Sequence, residues 1–189
     1  MKTAAAVLLD ACKEHGWTLG AAESLTGGLL SSTLVAVPGA SEVFRGSVVS
    51  YAVDVKASVL GVSEEQLAQT GPVDGEVALQ MAAGAARVLN VDVALSTTGV
   101  AGPGPADGHP AGTVYVAVQT PSGTHCELLQ LHGEREDIRQ QTVQKLLGIA
   151  AETVLTPACF YTEQKRSQLQ AFSQEGLQLL ALGTEKQIF

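Results

Sequence analysis

The hydrophobic period changes abruptly between residues 72 and 98, and that change constrains the fold more than any other feature of the sequence. Val77, Ala78, Met81, Ala82, Ala85, Val88 and Leu89 recur at the spacing of one helical face. Residues 91–97 then read as a short buried strand. A chain that alternates apolar helical stripes with buried strands folds in layers, with helices covering a sheet.

The same alternation runs along the rest of the chain. Ala4, Val7, Leu8, Ala11 and Cys12 have helical spacing, and Gly16 marks a stop. Residues 17–22 read as a strand, 29–35 as a helix broken by Pro38-Gly39, 43–52 as a strand and 53–60 as a helix. Ser63-Glu64-Glu65-Gln66 has the pattern of a capping box. A long Gly/Pro loop, residues 99–112, precedes a hairpin of residues 113–120 and 124–131 around Pro121-Ser122-Gly123. A helix at 135–154 turns Ile138, Val143, Leu146, Leu147, Ala150 and Val154 inward.

Early alternation followed by a late hairpin predicts an α/β fold, a three-layer α/β/α sandwich with a mixed sheet. Aromatic residues make up only 4% of the chain, so Ala, Val and Leu must fill its core, and 20 glycines permit close approach of the layers. Residues 1–156 are expected to form one domain. Residues 157–189 read as a Gln/Leu-rich extension with a helix near 163–182, packing on the body or on a neighbouring subunit.

Several function classes are disfavoured at once. A chain of 189 residues buries enough surface to fold without disulfides or a metal. The net charge is −8 and no Lys/Arg block exists, which argues against nucleic acid as a partner. Cys12, Cys126 and Cys159 are odd in number and widely spaced, so neither a disulfide framework nor a metal knuckle is indicated, and a reducing cytoplasm fits. Asp10, Lys13 and Glu14 interrupt the first apolar run, so no membrane segment is expected. His15, His109, His125 and His132 are scattered without the spacing of a metal site. No cofactor motif is present, since Asp107 stands where a dinucleotide fingerprint starting at Gly102 would need glycine.

Three segments carry possible chemistry. The first, Glu23-Ser24-Leu25-Thr26-Gly27-Gly28, places a serine at the end of a strand before a glycine pair that opens a helix. Such a turn lets backbone approach a ligand and offers N–H groups to an oxyanion. It also reads as an ordinary capped strand-to-helix turn. In the second, Tyr51 and Lys56 sit five residues apart across a strand-to-helix junction and can share one cleft. A lysine activates a hydroxyl only when its environment keeps it neutral. A surface lysine and an edge tyrosine are the plainer alternative. The third, Ser96 to Pro105, is rich in Gly, Pro and hydroxyl residues after a strand, as phosphate-cradling loops are and as some plain connections are too.

Taken together, these segments resemble the CinA C-terminal domain family. The resemblance rests on Ala22-Glu23-Ser24 with Thr26-Gly27-Gly28, Pro38-Gly39-Ala40-Ser41 and Phe44, and Tyr51 with Lys56. It continues through Leu60-Gly61-Val62, Thr98-Gly99-Val100-Ala101-Gly102-Pro103, Gly112-Thr113-Val114 and Gly133-Glu134-Arg135 to Arg139, covering residues 3–155 in one order. It implies deamidation of nicotinamide mononucleotide to nicotinic acid mononucleotide, with Ser24 as nucleophile and Lys56 and Tyr51 beside it. Some relatives carry a further N-terminal domain that hydrolyses ADP-ribose, and a stand-alone form is expected here. Leu25 stands where many members have Cys, Gly71-Pro72-Val73-Asp74 replaces a run that commonly reads Gly-Ala-Val-Ser, and the loop from Gly104 to Pro110 is unusual.

The expected machinery follows. Ser24, Lys56 and Tyr51 are the catalytic candidates, and Glu23, Thr26, Gly27, Gly28, Thr98, Gly99, Ala101 and Gly102 the substrate-binding ones. The backbone from Thr26 to Gly28 is expected to hold the oxyanion and the loop from Thr98 to Gly104 the phosphate. The expected partner is a small-molecule nucleotide, without metal, cofactor, nucleic acid or membrane, in a homo-oligomer. Two alternatives remain at this point: a non-catalytic nucleotide-binding or adaptor module, and an amidase for another small amide.

Overall fold

The computed structural model describes residues 2–156; the extension at 157–189, with the helix expected in it, lies outside the described residues. The chain runs α1 (Ala4–His15), β1 (Leu19–Glu23), α2 (Leu29–Val35), β2 (Phe44–Val49), α3 (Val53–Ser58), α4 (Glu64–Thr70), α5 (Gly75–Leu89), β3 (Val93–Gly99), β4 (Thr113–Thr120), β5 (Gly123–Gln130) and α6 (Arg135–Leu155). The strands form one sheet in the order β2-β1-β3-β4-β5. β1 is parallel to both β2 and β3, whereas β4 and β5 continue the sheet antiparallel. The fold is thus an α/β sandwich on a mixed sheet.

The layers follow from which side chains need cover. β1 is buried at every position, so it needs helices on both faces. On one face Leu8, Leu30, Leu34, Leu146 and Leu147, from α1, α2 and α6, close over Leu19, Leu95, Val114 and Val116. On the other, Val77, Met81 and Ala85 of α5 meet Ala22 and Ala94, while Ala78 and Ala82 meet Ala117. Small residues set the spacing there. A Cβ on Gly84 would stand 2.1 Å from the Leu60 carbonyl oxygen, so only glycine lets α5 lie against that segment.

Element ends move where capping overrides hydrophobic period. β2 ends at Val49, three residues before the expected end: the Ser50 N–H makes a last bond to β1, at the Glu23 carbonyl (2.9 Å), and Ala52 is already the N-cap of α3. β3 starts at Val93, since the Val91 N–H closes the end of α5 on the Ala86 carbonyl. Asp92 is held by the Thr18 backbone N–H and hydroxyl, both at 2.8 Å. At Ser63 the side chain accepts from the Gln66 N–H. A reciprocal capping box forms elsewhere, between Glu134 and Asp137 at the start of α6.

The topology has one consequence for function. The parallel pairing aligns Glu23 with Val49 on one side and with Thr97 on the other. The segments leaving the carboxyl ends of β1, β2 and β3 therefore emerge together on one edge of the sheet, where ligands of open α/β sheets commonly sit. These are the three segments that carry the candidate chemistry.

Candidate active site

The turn after β1 is built around a buried carboxylate. Glu23 is fully buried, and its two oxygens accept hydrogen bonds from the N–H groups of Gly28 (2.9 Å), Leu30 (3.1 Å) and Ser31 (2.9 Å) and from the Ser31 hydroxyl. Gly28, the N-cap of α2 at φ 96°, has no side chain to cap the helix. Glu23 supplies the missing acceptor, with its negative charge at the positive end of the helix. Thr26 is equally buried and bonds Thr97 hydroxyl to hydroxyl at 2.9 Å.

These bonds leave Ser24 at the tip of the turn. Its N–H is tied to the Thr97 carbonyl at 3.0 Å, and its carbonyl accepts from Gly27 at 3.1 Å. From the far side Arg139 of α6 donates to the carbonyls of Leu25 (3.2 Å) and Thr26 (2.8 Å). The turn is thus held from three directions while the Ser24 side chain faces the cleft.

Lys56 meets it there. It lies on α3, is only 1% exposed, and its Nζ donates to Ser24 Oγ at 2.9 Å and to the Ser50 carbonyl at 2.6 Å. Burial pushes its pKa down from 10.5 to about 8, against a smaller upward pull from the Asp107 carboxylate. No carboxylate forms an ion pair with it among the described residues. A lysine in that state is neutral in about a tenth of the molecules at pH 7, far more than at its ordinary value, and the neutral form accepts a proton.

Tyr51 is placed differently. It is 59% exposed, and its hydroxyl accepts from Arg135 Nη2 at 2.8 Å, while Arg135 Nη1 donates to the Gly102 carbonyl at 2.5 Å. The phenol makes no hydrogen bond to Ser24 or Lys56. Arg135 thereby bridges the segments after β2 and β3 across one cleft of about 220 Å³.

Of the predicted positions, Ser24, Lys56, Tyr51, Thr98, Gly99, Ala101 and Gly102 line this cleft. Glu23, Thr26, Gly27 and Gly28 do not. Glu23 and Thr26 are committed to the scaffold, and the N–H groups of Gly27 and Gly28 are already bonded to Ser24 and Glu23. Of that turn, the N–H groups of Leu25 and Thr26 make no hydrogen bond among the described residues. Thr98 lines the cleft but spends its hydroxyl on the Pro72 carbonyl at 2.6 Å, fastening the 71–74 segment to β3.

Pro72, Val73 and Asp107, in the two segments that depart from the family's common runs and were expected beside the pocket, also line the cleft, as does Arg135, which sequence reasoning left without a role. Arg135 stood within a motif of the resemblance, but 84 residues separate it from the phenol it touches. Of two other hollows, one of about 440 Å³ is bordered by His132, Asp137, Gln141 and Lys145, and one of about 450 Å³, bordered by Thr3, Ala4, Pro38 and Leu147, has no titratable group in its lining. Among the described residues no three His, Cys, Asp or Glu side chains converge as a metal site requires, and no helix is long and apolar enough to cross a membrane.

Fold and cleft together define an α/β domain with a small polar site at the carboxyl ends of its parallel strands, where a buried lysine is hydrogen-bonded to a serine. The chain belongs to the CinA C-terminal domain family, whose model matches residues 1–154. A CinA-like protein of Frankia casuarinae is 46% identical over 143 residues, covering 76% of this chain and 33% of that protein. A putative competence-damage inducible protein of Limosilactobacillus fermentum is 46% identical over 150 residues, covering 77% of this chain and 36% of its own length. This chain therefore spans about a third of these relatives. Among solved structures, a CinA superfamily protein of Klebsiella pneumoniae aligns with TM-score 0.76 at 28% identity, over 82% of this chain and 99% of its own. A competence/damage inducible protein of Agrobacterium tumefaciens aligns with TM-score 0.74 at 33% identity, over 79% and 93%.

Proposed function

We propose that this chain is a nicotinamide-nucleotide amidase that hydrolyses the carboxamide of nicotinamide mononucleotide through a Ser24 ester. The observation that carries the reading is the 2.9 Å hydrogen bond between Ser24 Oγ and a buried Lys56 whose pKa is lowered to about 8. Nucleophile and base lie within direct reach, as general-base activation requires.

The steps balance with these groups alone. Ser24 Oγ attacks the amide carbon and its proton passes to Lys56 Nζ. The C–N bond of the tetrahedral adduct breaks as Lys56 returns that proton to the departing nitrogen, which leaves as ammonia. Water then attacks the ester, delivers a proton to Lys56, and the acid departs as Ser24 recovers its proton. The Leu25 N–H, on a residue that lines the cleft, is the donor of the turn that remains for the developing oxyanion. The Ser24 carbonyl, which shares a peptide plane with the Leu25 N–H and points away from it, is held on the opposite side by the Gly27 N–H.

The test is ammonia release from nicotinamide mononucleotide by the purified chain. Wild type should turn over, and Ser24→Ala and Lys56→Ala should each fall by about a thousandfold or more, the scale of losing a nucleophile or its base. Lys56→Arg should not restore the rate, because a guanidinium stays protonated and cannot take the serine proton. Release of ammonia by Ser24→Ala at the wild-type rate contradicts the reading and favours a nucleotide-binding module.

A further inference from the structure

We propose that the outer edge of β5 is a self-association surface, on which a second copy of this chain pairs antiparallel about a two-fold axis at Cys126, with His125 opposite the partner's Glu127. The inference does not depend on the amidase reading.

β5 ends the strand order, so its outer edge has no neighbouring strand among the described residues. The Leu131 N–H bonds the Gly112 carbonyl at 2.9 Å, and from there β4 and β5 pair in unbroken register to Thr120 and Gly123. Backbone groups along a strand turn to alternate sides. The odd-numbered residues of β5 therefore bond β4, while Thr124, Cys126 and Leu128 turn their N–H and C=O groups outward. Such a row of unpaired groups is a template for one more strand. The side chains leave it open, since Leu129 is the one fully buried residue of β5.

The charge pattern names the occupant. His125 and Glu127 lie on one face of the strand, each about half exposed, with imidazole and carboxylate 3.6 Å apart. An axis at Cys126 sets His125 opposite the partner's Glu127 and Glu127 opposite the partner's His125. Both are non-hydrogen-bonded positions, where facing side chains stand closest. An imidazole N–H donates to a carboxylate whether or not the ring is charged. Moving the axis by one residue sets either His125 or Glu127 against its own copy, so the charges select one register. On the other face Leu128, 46% exposed, meets the partner's Thr124. The match is self-complementary, as a two-fold interface requires. The opposite edge of the sheet lacks it, because Arg45 is the one charged residue of β2 and has no carboxylate in that strand to meet.

The experiment measures dimer dissociation by sedimentation velocity of the full chain across a concentration series. Wild type is compared with His125→Glu, Glu127→His and the double exchange His125→Glu/Glu127→His, each confirmed folded by its thermal transition. Wild type should dimerise. Each single variant sets like groups against one another at both symmetry-related positions and should raise the dissociation constant about threefold to thirtyfold. The double exchange keeps unlike groups opposite and should bring the constant back toward the wild-type value, a recovery that a merely structural role of either residue does not produce. Hydrogen exchange reads the register: the Thr124, Cys126 and Leu128 amides should be protected in the dimer and exposed on dilution. A wild-type chain that stays monomeric up to about 0.1 mM overturns the proposal. So does a dimer that the single variants leave unchanged, one that the double exchange does not restore, or one in which those three amides exchange as fast as in the monomer.

Discussion

Lys56 is costly to bury, and its burial is what makes chemistry possible. Its drop from 10.5 to about 8 corresponds to about 3 kcal/mol of disfavoured charge. The unfolded chain keeps Lys56 protonated up to its ordinary value, whereas the folded chain releases the proton near 8. Rising pH therefore favours the folded state between these two values, and below about 8 the penalty is present in full. Lys56→Met is accordingly expected to be more stable than wild type at pH 7, by on the order of 1 kcal/mol once the lost hydrogen bond to Ser50 is counted. The gain should shrink toward pH 10, as read by urea unfolding at each pH. A second expectation concerns Asp107, whose charge pulls the Lys56 pKa upward. Asp107→Asn should lower that pKa and shift the alkaline rise in amidase rate to lower pH. A profile that shifts upward or not at all would separate Asp107 from the lysine. Lys56 was legible as a candidate from its distance to Tyr51, but its burial was not. A single lysine in a short helix gives no sign of which face is covered, and the cover comes from segments far along the chain.

At the scale of elements, the strand ends do the positioning. β1 delivers two adjacent side chains to opposite uses, Glu23 into the scaffold beneath α2 and Ser24 into the cleft. Glu23 is the last residue of β1 and Ser24 the first beyond it, so the chain turns between the two side chains. The motif at 23–28 was legible as a unit, but its internal roles were not. The acceptor for the α2 N–H groups lies five residues before Gly28, outside the usual reach of a cap, and a glycine pair reads equally well as an oxyanion turn. Glu23→Ala should leave three backbone N–H groups without their acceptor and destabilise the chain by about 1–3 kcal/mol per unsatisfied group at most. The midpoint of urea unfolding should fall, with turnover lost as the Ser24 turn loosens. An unchanged midpoint would show that the carboxylate does not hold α2. The capping box at Glu134 escaped notice for a related reason. Its cap is a glutamate, and the sequence signal is tuned to Ser and Thr.

For the whole molecule, the layered α/β class was legible because small apolar residues at helical and strand spacing leave few other ways to bury them. The convergence of three distant loops was not legible from spacing alone. It is fixed by the order β2-β1-β3, which brings residues 24, 56 and 102 to one edge of the sheet. The family model ends at residue 154, and the core described here closes with Val154. A chain ending at Pro157 is therefore expected to fold and to keep its turnover per site, as active-site titration against ammonia release would show. Loss of turnover in a truncated chain with an intact thermal transition would place function in residues 158–189. The proposed ester is a covalent bond to Ser24, and intact-mass spectrometry of the chain quenched during turnover of nicotinamide mononucleotide reads that bond directly. The expected result is a species heavier than the free chain by the nucleotide less ammonia, with the added mass on the peptide containing Ser24 and absent in Ser24→Ala. Steady release of ammonia with no such adduct, and with no hydroxamate of the nucleotide formed when hydroxylamine is added to intercept an ester, would contradict it.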